Sequence, residues 1–269
     1  MTTLTDIIAV TRRKVEEAIS TSDLAQVEKA AAAHSPRGFR KALESVSASG
    51  VAIIAELKKA SPSRGVIRSD FDPPKLALEL EQAGAAALSV LTNEQFFQGS
   101  LENLRAASAG TRLPCLRKDF IIDEFQVLEA RAYSADAVLL IAAALPQEEL
   151  LALAKRAKDF QVDVLCEVHD EEELGRALEA GCDLVGVNSR DLHTFSVDLD
   201  TAFRVAQMLP PEVVAVAESG IERGRDIAHL RSAGYNAFLI GEALMRASSP
   251  GDELRRLIVE AGSAASAGM

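Results

Sequence analysis

An acid and a base stand two residues apart in the stretch Ile53-Ile54-Ala55-Glu56-Leu57-Lys58-Lys59-Ala60-Ser61-Pro62-Ser63-Arg64-Gly65. The stretch opens as a buried apolar strand. Side chains alternate faces along a strand, so Glu56 and Lys58 point the same way as Ile54. Two opposite charges therefore end a face that begins apolar. Desolvating them is costly unless they are paired or used in chemistry, so a structural ion pair and an acid–base pair are both open at this point. The Ser61-Pro62-Ser63-Arg64-Gly65 turn adds hydroxyls and a guanidinium, which suit an anionic ligand better than a core.

The same arrangement recurs. Lys118 shares a strand face with Leu116 in Cys115-Leu116-Arg117-Lys118-Asp119-Phe120. It can act as an acid, form a Schiff base if its pKa is lowered, or reach out to solvent. Glu167 ends Asp163-Val164-Leu165-Cys166 and faces the same side as Leu165. An apolar wall beside it predicts a raised pKa and a proton held or accepted near neutrality; the plainer alternative is that it only neutralises a lysine. Asn188 and Arg190 end a further run, and Glu218 and Ser219 another. Asn188 both donates and accepts, which suits a substrate hydroxyl. Gly220 and Gly241 follow the last two apolar runs, where a bare backbone and helix N-termini can approach an anion. With Ser219 they predict a phosphate site, provided that the Glu242 carboxylate points away from it.

These residues must be carried by eight apolar runs, centred on Ile54, Ser89, Leu116, Leu139, Leu165, Val187, Val216 and Leu239. Amphipathic segments separate them, among them Lys75 to Ala83, Glu124 to Ala132, Gln147 to Lys158, Glu171 to Glu179 and Arg223 to Ser232. Joints such as Gln82-Ala83-Gly84-Ala85 and Ala180-Gly181-Cys182-Asp183 read as a glycine-capped helix end entering a strand. Continuous apolar character fits parallel strands covered on both faces. The prediction is an α/β chain, a (β/α)8 TIM barrel in one domain over residues 1–269. A doubly wound open sheet is the competitor; no G-x-G-x-x-G follows the first strand, which argues against it. About 48 residues precede that strand. Leu4, Ile7, Ile8, Val15 and Ile19 have helical spacing, and Phe39 to Val46 reads as another helix. This helical extension is expected either to plug one barrel end or to serve as a lid. The small, polar tail from Ala261 to Met269 is expected to be flexible.

Composition narrows the function classes. The 269 residues carry 29 Lys+Arg against 40 Asp+Glu, a net charge of −11, so no broad basic surface offers itself to nucleic acid or an acidic membrane. No apolar run is long enough to span a bilayer, and no signal peptide is evident. Cys115, Cys166 and Cys182 are odd in number and widely spaced, which predicts inert buried thiols in a reducing, cytoplasmic setting. The four histidines lack metal-ligand spacing, and neither a metal nor a cofactor is expected.

Taken together, the segments Ile54 to Ser63, Leu116 to Phe120, Glu167-Val168-His169, Gly186 to Leu192 and Ala217 to Ile221 resemble the indole-3-glycerol-phosphate synthase family of tryptophan biosynthesis. The resemblance runs from the N-terminal helices to Phe238-Leu239-Ile240-Gly241-Glu242-Ala243-Leu244-Met245. It implies a lyase that closes the indole ring of 1-(2-carboxyphenylamino)-1-deoxyribulose 5-phosphate, with loss of carbon dioxide and then water, and without a cofactor. By the same resemblance Lys118 is the general acid of ring closure and Glu167 the proton-transfer carboxylate. Lys58 holds the substrate carboxylate or positions Lys118, and is a candidate acid for dehydration. Glu56 orients the lysines, Asn188 binds a sugar hydroxyl, and Arg190 holds the charged end of the substrate or supports Glu167. Glu218 is a hydroxyl-binding or supporting carboxylate. Ser61, Ser219, Gly220 and Gly241 are implied phosphate contacts, and Phe120 lines the aromatic pocket. A monomer is expected; association with other pathway enzymes is left open. The rivals are another phosphate-binding barrel, such as a sugar-phosphate isomerase or Schiff-base aldolase, and a non-catalytic binding barrel.

Overall fold

Alternation of side chains along eight short parallel strands builds two separate cores. The computed structural model describes residues 3–190 and 197–267. Asp191 and Leu192, which end one of the segments that carry the family resemblance, and the tail residues Gly268 and Met269 lie outside the described residues. The strands are β1 (Ala52–Leu57), β2 (Ala87–Leu91), β3 (Cys115–Lys118), β4 (Ala137–Ile141), β5 (Asp163–Val168), β6 (Leu184–Asn188), β7 (Val214–Glu218) and β8 (Ala237–Ile240). All neighbours are parallel, and β8 pairs back onto β1 through Ala52↔Ala237 and Ile54↔Leu239, closing the barrel. The open-sheet competitor is thereby removed. Ala52, Ile54, Leu116, Leu139, Leu165, Leu184, Val216 and Leu239 fill the interior. The alternate residues, such as Ile53, Ala55, Leu88, Val138, Cys166 and Phe238, face the surrounding helices. Both faces are buried, so the strands read as unbroken apolar runs.

Each strand is followed by a helix: α4 (Pro73–Gln82), α5 (Leu101–Ala109), α6 (Glu124–Ala132), α7 (Gln147–Asp159), α8 (Glu171–Glu179), α9 (Leu199–Ala206), α10 (Gly224–Ser232) and α11 (Pro250–Ala267). Their starts are written locally. Asp72, Ser100, Asp123, Asp170 and Asp198 accept first-turn backbone N–H groups as N-caps. Helix α11 carries regular structure through Ala267, with Ala261 buried, so most of the segment expected to be a flexible tail is helix. Alanine is the best helix former, and its repeated occurrence in Ala261-Gly262-Ser263-Ala264-Ala265 favours continuation of α11. No helix among the described residues is long and apolar enough to cross a membrane.

The extension forms α1 (Leu4–Thr21), α2 (Leu24–Ala33) and α3 (Phe39–Ser47), and it divides the two roles expected of it. Phe39 and Leu43 of α3 are fully buried in the barrel interior beneath Ala52 and Ile54. Arg40 reaches the carbonyl oxygens of Asp183 and Glu212, at the N-terminal ends of β6 and β7. Helix α3 is thus the plug. Leu4 and Ile7 of α1 instead line a cavity at the opposite end, so α1 covers the mouth. Helix α2, packed on α6, joins the two.

The segment between α2 and α3 is held by one buried carboxylate. Asp136, fully buried, accepts from Arg37 Nη2 (2.5 Å), the Arg37 backbone N–H (2.6 Å), the Cys115 backbone N–H (2.7 Å) and Arg37 Nε (3.0 Å), and pairs with His34 Nε2 (3.2 Å). Burial pushes its pKa up, but the bonds from His34 and Arg37 and the Arg37 charge outweigh burial and hold it below the ordinary value. A carboxylate lowered in the folded state stabilises the fold above its unfolded pKa, and that contribution is lost as pH falls through the folded value. Arg37→Ala strands this buried charge and is expected to cost about 3–5 kcal/mol in urea unfolding near neutral pH. The loss should shrink at acidic pH, where Asp136 protonates in both proteins.

Candidate active site

Continuing each inward face of the barrel by one residue beyond its apolar core brings the polar residues to one mouth. Ala52 and Ile54 lead to Glu56; Leu116 leads to Lys118; Leu165 leads to Glu167; Val214 and Val216 lead to Glu218. Active sites in this fold lie at the C-terminal ends of the strands. All of Glu56, Lys58, Ser61, Lys118, Phe120, Glu167, Asn188, Arg190, Glu218, Ser219, Gly220 and Gly241 line a single cavity of about 790 Å³.

Lys118 is the hub. Its Nζ lies 2.7 Å from Glu167 Oε2 and 3.4 Å from Glu218 Oε2. Asn188 Nδ2 donates to Glu167 Oε1 at 3.1 Å, and Asn188 Oδ1 accepts from Ser219 Oγ at 2.8 Å and from the Arg190 backbone N–H at 3.0 Å. Lys58 Nζ pairs with Glu56 Oε1 at 2.8 Å, and Ser89 Oγ donates to Glu56 Oε2 at 3.4 Å. The ion pair left open by sequence is therefore present, and it lies in the wall of the same cavity as Lys118.

Burial disfavours the charge on Lys118, but the negative charges of Glu167, Glu218 and Glu56 outweigh it and raise its pKa. It stays an ammonium. The expected raised pKa of Glu167 is corrected. Burial raises it, but the charges of Lys118 and His169 and the bonds from Lys118 and Asn188 bring it down to about 2. The raised carboxyl is Glu218, which burial pushes to about 8, with the Glu167 and Glu56 charges adding to the rise against Lys118. Hydrogen bonding explains the split. Glu167 accepts from Lys118 and Asn188, whereas Glu218 Oε1 is buried without a partner. Two carboxylates sharing one cation hold one proton between them, and the less well-served carboxylate keeps it.

Two glycines make room for these carboxylates. A Cβ on Gly186, in β6, would collide with the Glu218 carboxyl, and one on Gly241 would collide with Glu56. At the other side of the cavity, Ser219 (φ 66°) and Gly220 (φ 75°) both take left-handed backbone, an uncommon conformation for serine. Their loop follows β7, and the short helix Glu242–Arg246 begins directly after Gly241. Glu242 does not stand there as a bare anion, since it pairs with Arg64 at 3.1 Å and Arg246 at 3.6 Å. Among the described residues, no three His, Cys, Asp or Glu side chains are grouped to hold a metal ion.

The family model for indole-3-glycerol phosphate synthase matches residues 4–257. The chain belongs to the indole-3-glycerol phosphate synthase family. A relative of that name from Koribacter versatilis is 57% identical over 256 residues, covering 95% of this chain and 98% of the relative. One from Chlorobium luteolum is 50% identical over 245 residues, covering 91% and 93%. Solved barrels share the fold alone. Thiamine phosphate pyrophosphorylase from Pyrococcus furiosus matches with a TM-score of 0.60 at 17% identity, covering 80% of this chain and 96% of that one.

Beyond the residues expected of a synthase, the cavity includes Leu4, Ile7, Asn93, Phe97, Asp119 and Arg64. Asp119 accepts from Thr92 Oγ1 (2.7 Å), the Phe120 backbone N–H (3.0 Å) and Asn93 Nδ2 (3.2 Å), tying the loops after β2 and β3 together. Its place beside Lys118 was the only sequence signal for it. Leu4 and Ile7 carried a helical signal with no hint of which barrel end they would cover.

Glu218→Gln, which copies the shape of the protonated carboxyl, tests the proton assignment through stability. A carboxyl whose folded pKa lies above its unfolded one costs the fold stability as pH rises from about 4.5, its ordinary value, to about 8. The variant should therefore gain on the order of 3 kcal/mol over the parent near pH 7. That gain should vanish below pH 4.5, read by urea unfolding at both pH values.

Proposed function

We propose that this cavity performs the synthase reaction with the residues just described, closing the indole ring on the carboxyphenylamino-deoxyribulose phosphate. The observation that carries the assignment is Lys118, an ammonium held at 2.7 Å from one carboxylate and 3.4 Å from a second in the barrel mouth. Attack of the aromatic ring carbon on the ribulose carbonyl puts negative charge on the carbonyl oxygen. An acid must meet that charge as it develops. Lys118 donates the proton, and Glu167, ionised and hydrogen-bonded to it, is placed to take protons in the later steps. Carbon dioxide leaves from the carboxyl-bearing ring carbon, where the neighbouring iminium accepts the electron pair. That pair restores the aromatic benzene ring, and loss of the hydroxyl as water, with a proton removed from the adjacent carbon that bears the nitrogen, completes the indole.

Lys58 suits the substrate carboxylate and the dehydration step, with Glu56 fixing its position at 2.8 Å. Asn188 has its amide split between Glu167 and Ser219, so it can align a sugar hydroxyl against both. Glu218, carrying the site's spare proton, supports the hydroxyl-bearing side. Arg190 is assigned to the charged end of the substrate. Ser61, Ser219, Gly220 and Gly241 are the proposed phosphate contacts, since the loops after the last two strands are the recurrent phosphate position in this fold. Phe120 and the apolar residues Leu4 and Ile7 would flank the aromatic ring. A Schiff-base aldolase fits less well, because its lysine must lose a proton to attack, and the Glu167 and Glu56 carboxylates, joined by Glu218 wherever it ionises, hold the proton on Lys118. A monomer acting in the cytoplasm belongs to the same proposal; the three buried free thiols suit a reducing compartment.

The chain has no Trp, so an indole product is visible against little protein background. Indole emission should rise when the folded protein meets the carboxyphenylamino-deoxyribulose phosphate, and its absence would remove the assignment. Lys118→Ala should lower kcat by about 100-fold or more, the range of general acid catalysis, while KM moves far less. Unchanged turnover in that variant would take Lys118 out of the chemistry.

A further inference from the structure

One part-buried group touches the site without lining it. His169 follows β5 directly, two residues past Glu167, and its side chain is absent from the cavity wall. Its Nδ1 lies 3.0 Å from Glu173 Oε2, in the first turn of α8, and the same oxygen accepts the His169 backbone N–H at 2.8 Å. Its Nε2 lies 3.5 Å from Glu167 Oε1 and is buried without a hydrogen-bond partner.

Both ring nitrogens therefore face carboxylate oxygens. A neutral imidazole has one N–H and one lone pair. Either tautomer would turn a lone pair on a carboxylate, toward Glu173 in one case and Glu167 in the other. Only the imidazolium offers an N–H to each. Glu173 stands in the first turn of α8, whose N-terminus Asp170 caps by accepting the Glu173 backbone N–H.

We propose that His169, clamped by Glu173, is a positioning residue that keeps Glu167 ionised from behind the cavity wall and so leaves the shared carboxyl proton on Glu218. The proposal rests on the synthase reading for its catalytic consequence but not for its electrostatics. Burial disfavours the charge on His169, yet the bond to Glu173 and the charges of Glu167 and Glu173 raise its pKa above the ordinary 6.5. Several cations on the packed helices are engaged elsewhere. Arg176, on α8, is turned to the carbonyls of Ala142 and Leu145. On α7, Arg156 pairs with Glu124 and Lys155 with Asp159; Arg204 of α9 pairs with Glu171. Strand β6 contributes Asn188, which meets Glu167 rather than His169.

The test has two independent readouts on the full chain. Histidine ring NMR, with resonances assigned by replacing each of the four histidines in turn, should show His169 titrating above 6.5 and moving down in Glu173→Gln. This readout needs no turnover, so it stands apart from the identity of the reaction. The pH profile of kcat should then contain a step at the pKa that NMR assigns to His169. In His169→Asn that step should vanish and kcat fall about tenfold, with KM within about threefold and recovery in His169→Lys, as loss of a charge effect on general acid–base chemistry predicts. A His169 that titrates at or below 6.5 overturns the proposal. So does a folded His169→Asn protein that keeps the step. Should His169→Asn fail to fold, the wild-type titration and Glu173→Gln decide: a step that does not move with the NMR pKa in Glu173→Gln overturns it.

Discussion

The site depends on one constraint: Lys118 is buried between two carboxylates that it cannot satisfy equally. At 2.7 Å from Glu167 and 3.4 Å from Glu218, a single ammonium in a largely buried setting stabilises one carboxylate anion fully and the other poorly. The surrounding residues resolve that inequality in one direction. Asn188 adds a donor to Glu167, and His169 faces it from behind. Glu218 Oε1 receives no donor. The result is a separation of three groups near neutral pH: an ammonium on Lys118, an ionised Glu167 and a Glu218 carboxyl pushed up to about 8. Acid–base chemistry needs such a separation between neighbouring groups.

The barrel is what makes that arrangement possible in space. The inward faces that carry Glu56, Lys118, Glu167 and Glu218 are apolar below and polar at their ends, so the charges meet each other and the cavity. Gly186 and Gly241 remove side chains where the carboxyls of Glu218 and Glu56 must fit. The opposite end is covered by Phe39 and Leu43, fully buried against the interior residues. The buried Asp136–Arg37 contact holds the chain that delivers this plug. The same extension, through α1, returns to the mouth and supplies apolar wall. One segment therefore seals the bottom of the barrel and shapes its top.

Much of this was legible from local pattern. The eight strands, the paired helices and the inward direction of Glu56, Lys118, Glu167 and Glu218 follow from side-chain alternation and from apolar runs bounded by caps. The twelve expected site residues also share one cavity, because strand ends in a parallel barrel converge on one mouth. The protonation of Glu167 was not legible. An apolar strand beside a carboxyl argues for a raised pKa, and that argument is sound for burial alone. It fails at Glu167 because Lys118 and Asn188 arrive from other strands and His169 turns back on it, and it holds at Glu218 because no comparable donor reaches Oε1. The division of the extension into plug and mouth cover was likewise hidden, since helical spacing in Leu4 and Ile7 states that a face is buried without stating against what.

The sequence by itself determined the elements, their inward and outward faces, and the family resemblance that five ordered segments carried. These depend on local periodicity and residue type, which short-range sterics and the hydrophobic effect translate directly into structure. Only the tertiary structure decided which carboxyl keeps the proton, which glycines yield space, and what the N-terminal helices cover. Those outcomes depend on distances of a few ångströms between residues far apart in the chain, as with Lys118 and Glu167 or Lys118 and Glu218. Electrostatic energy falls with distance and rises with burial, and neither quantity is written in the order of the residues.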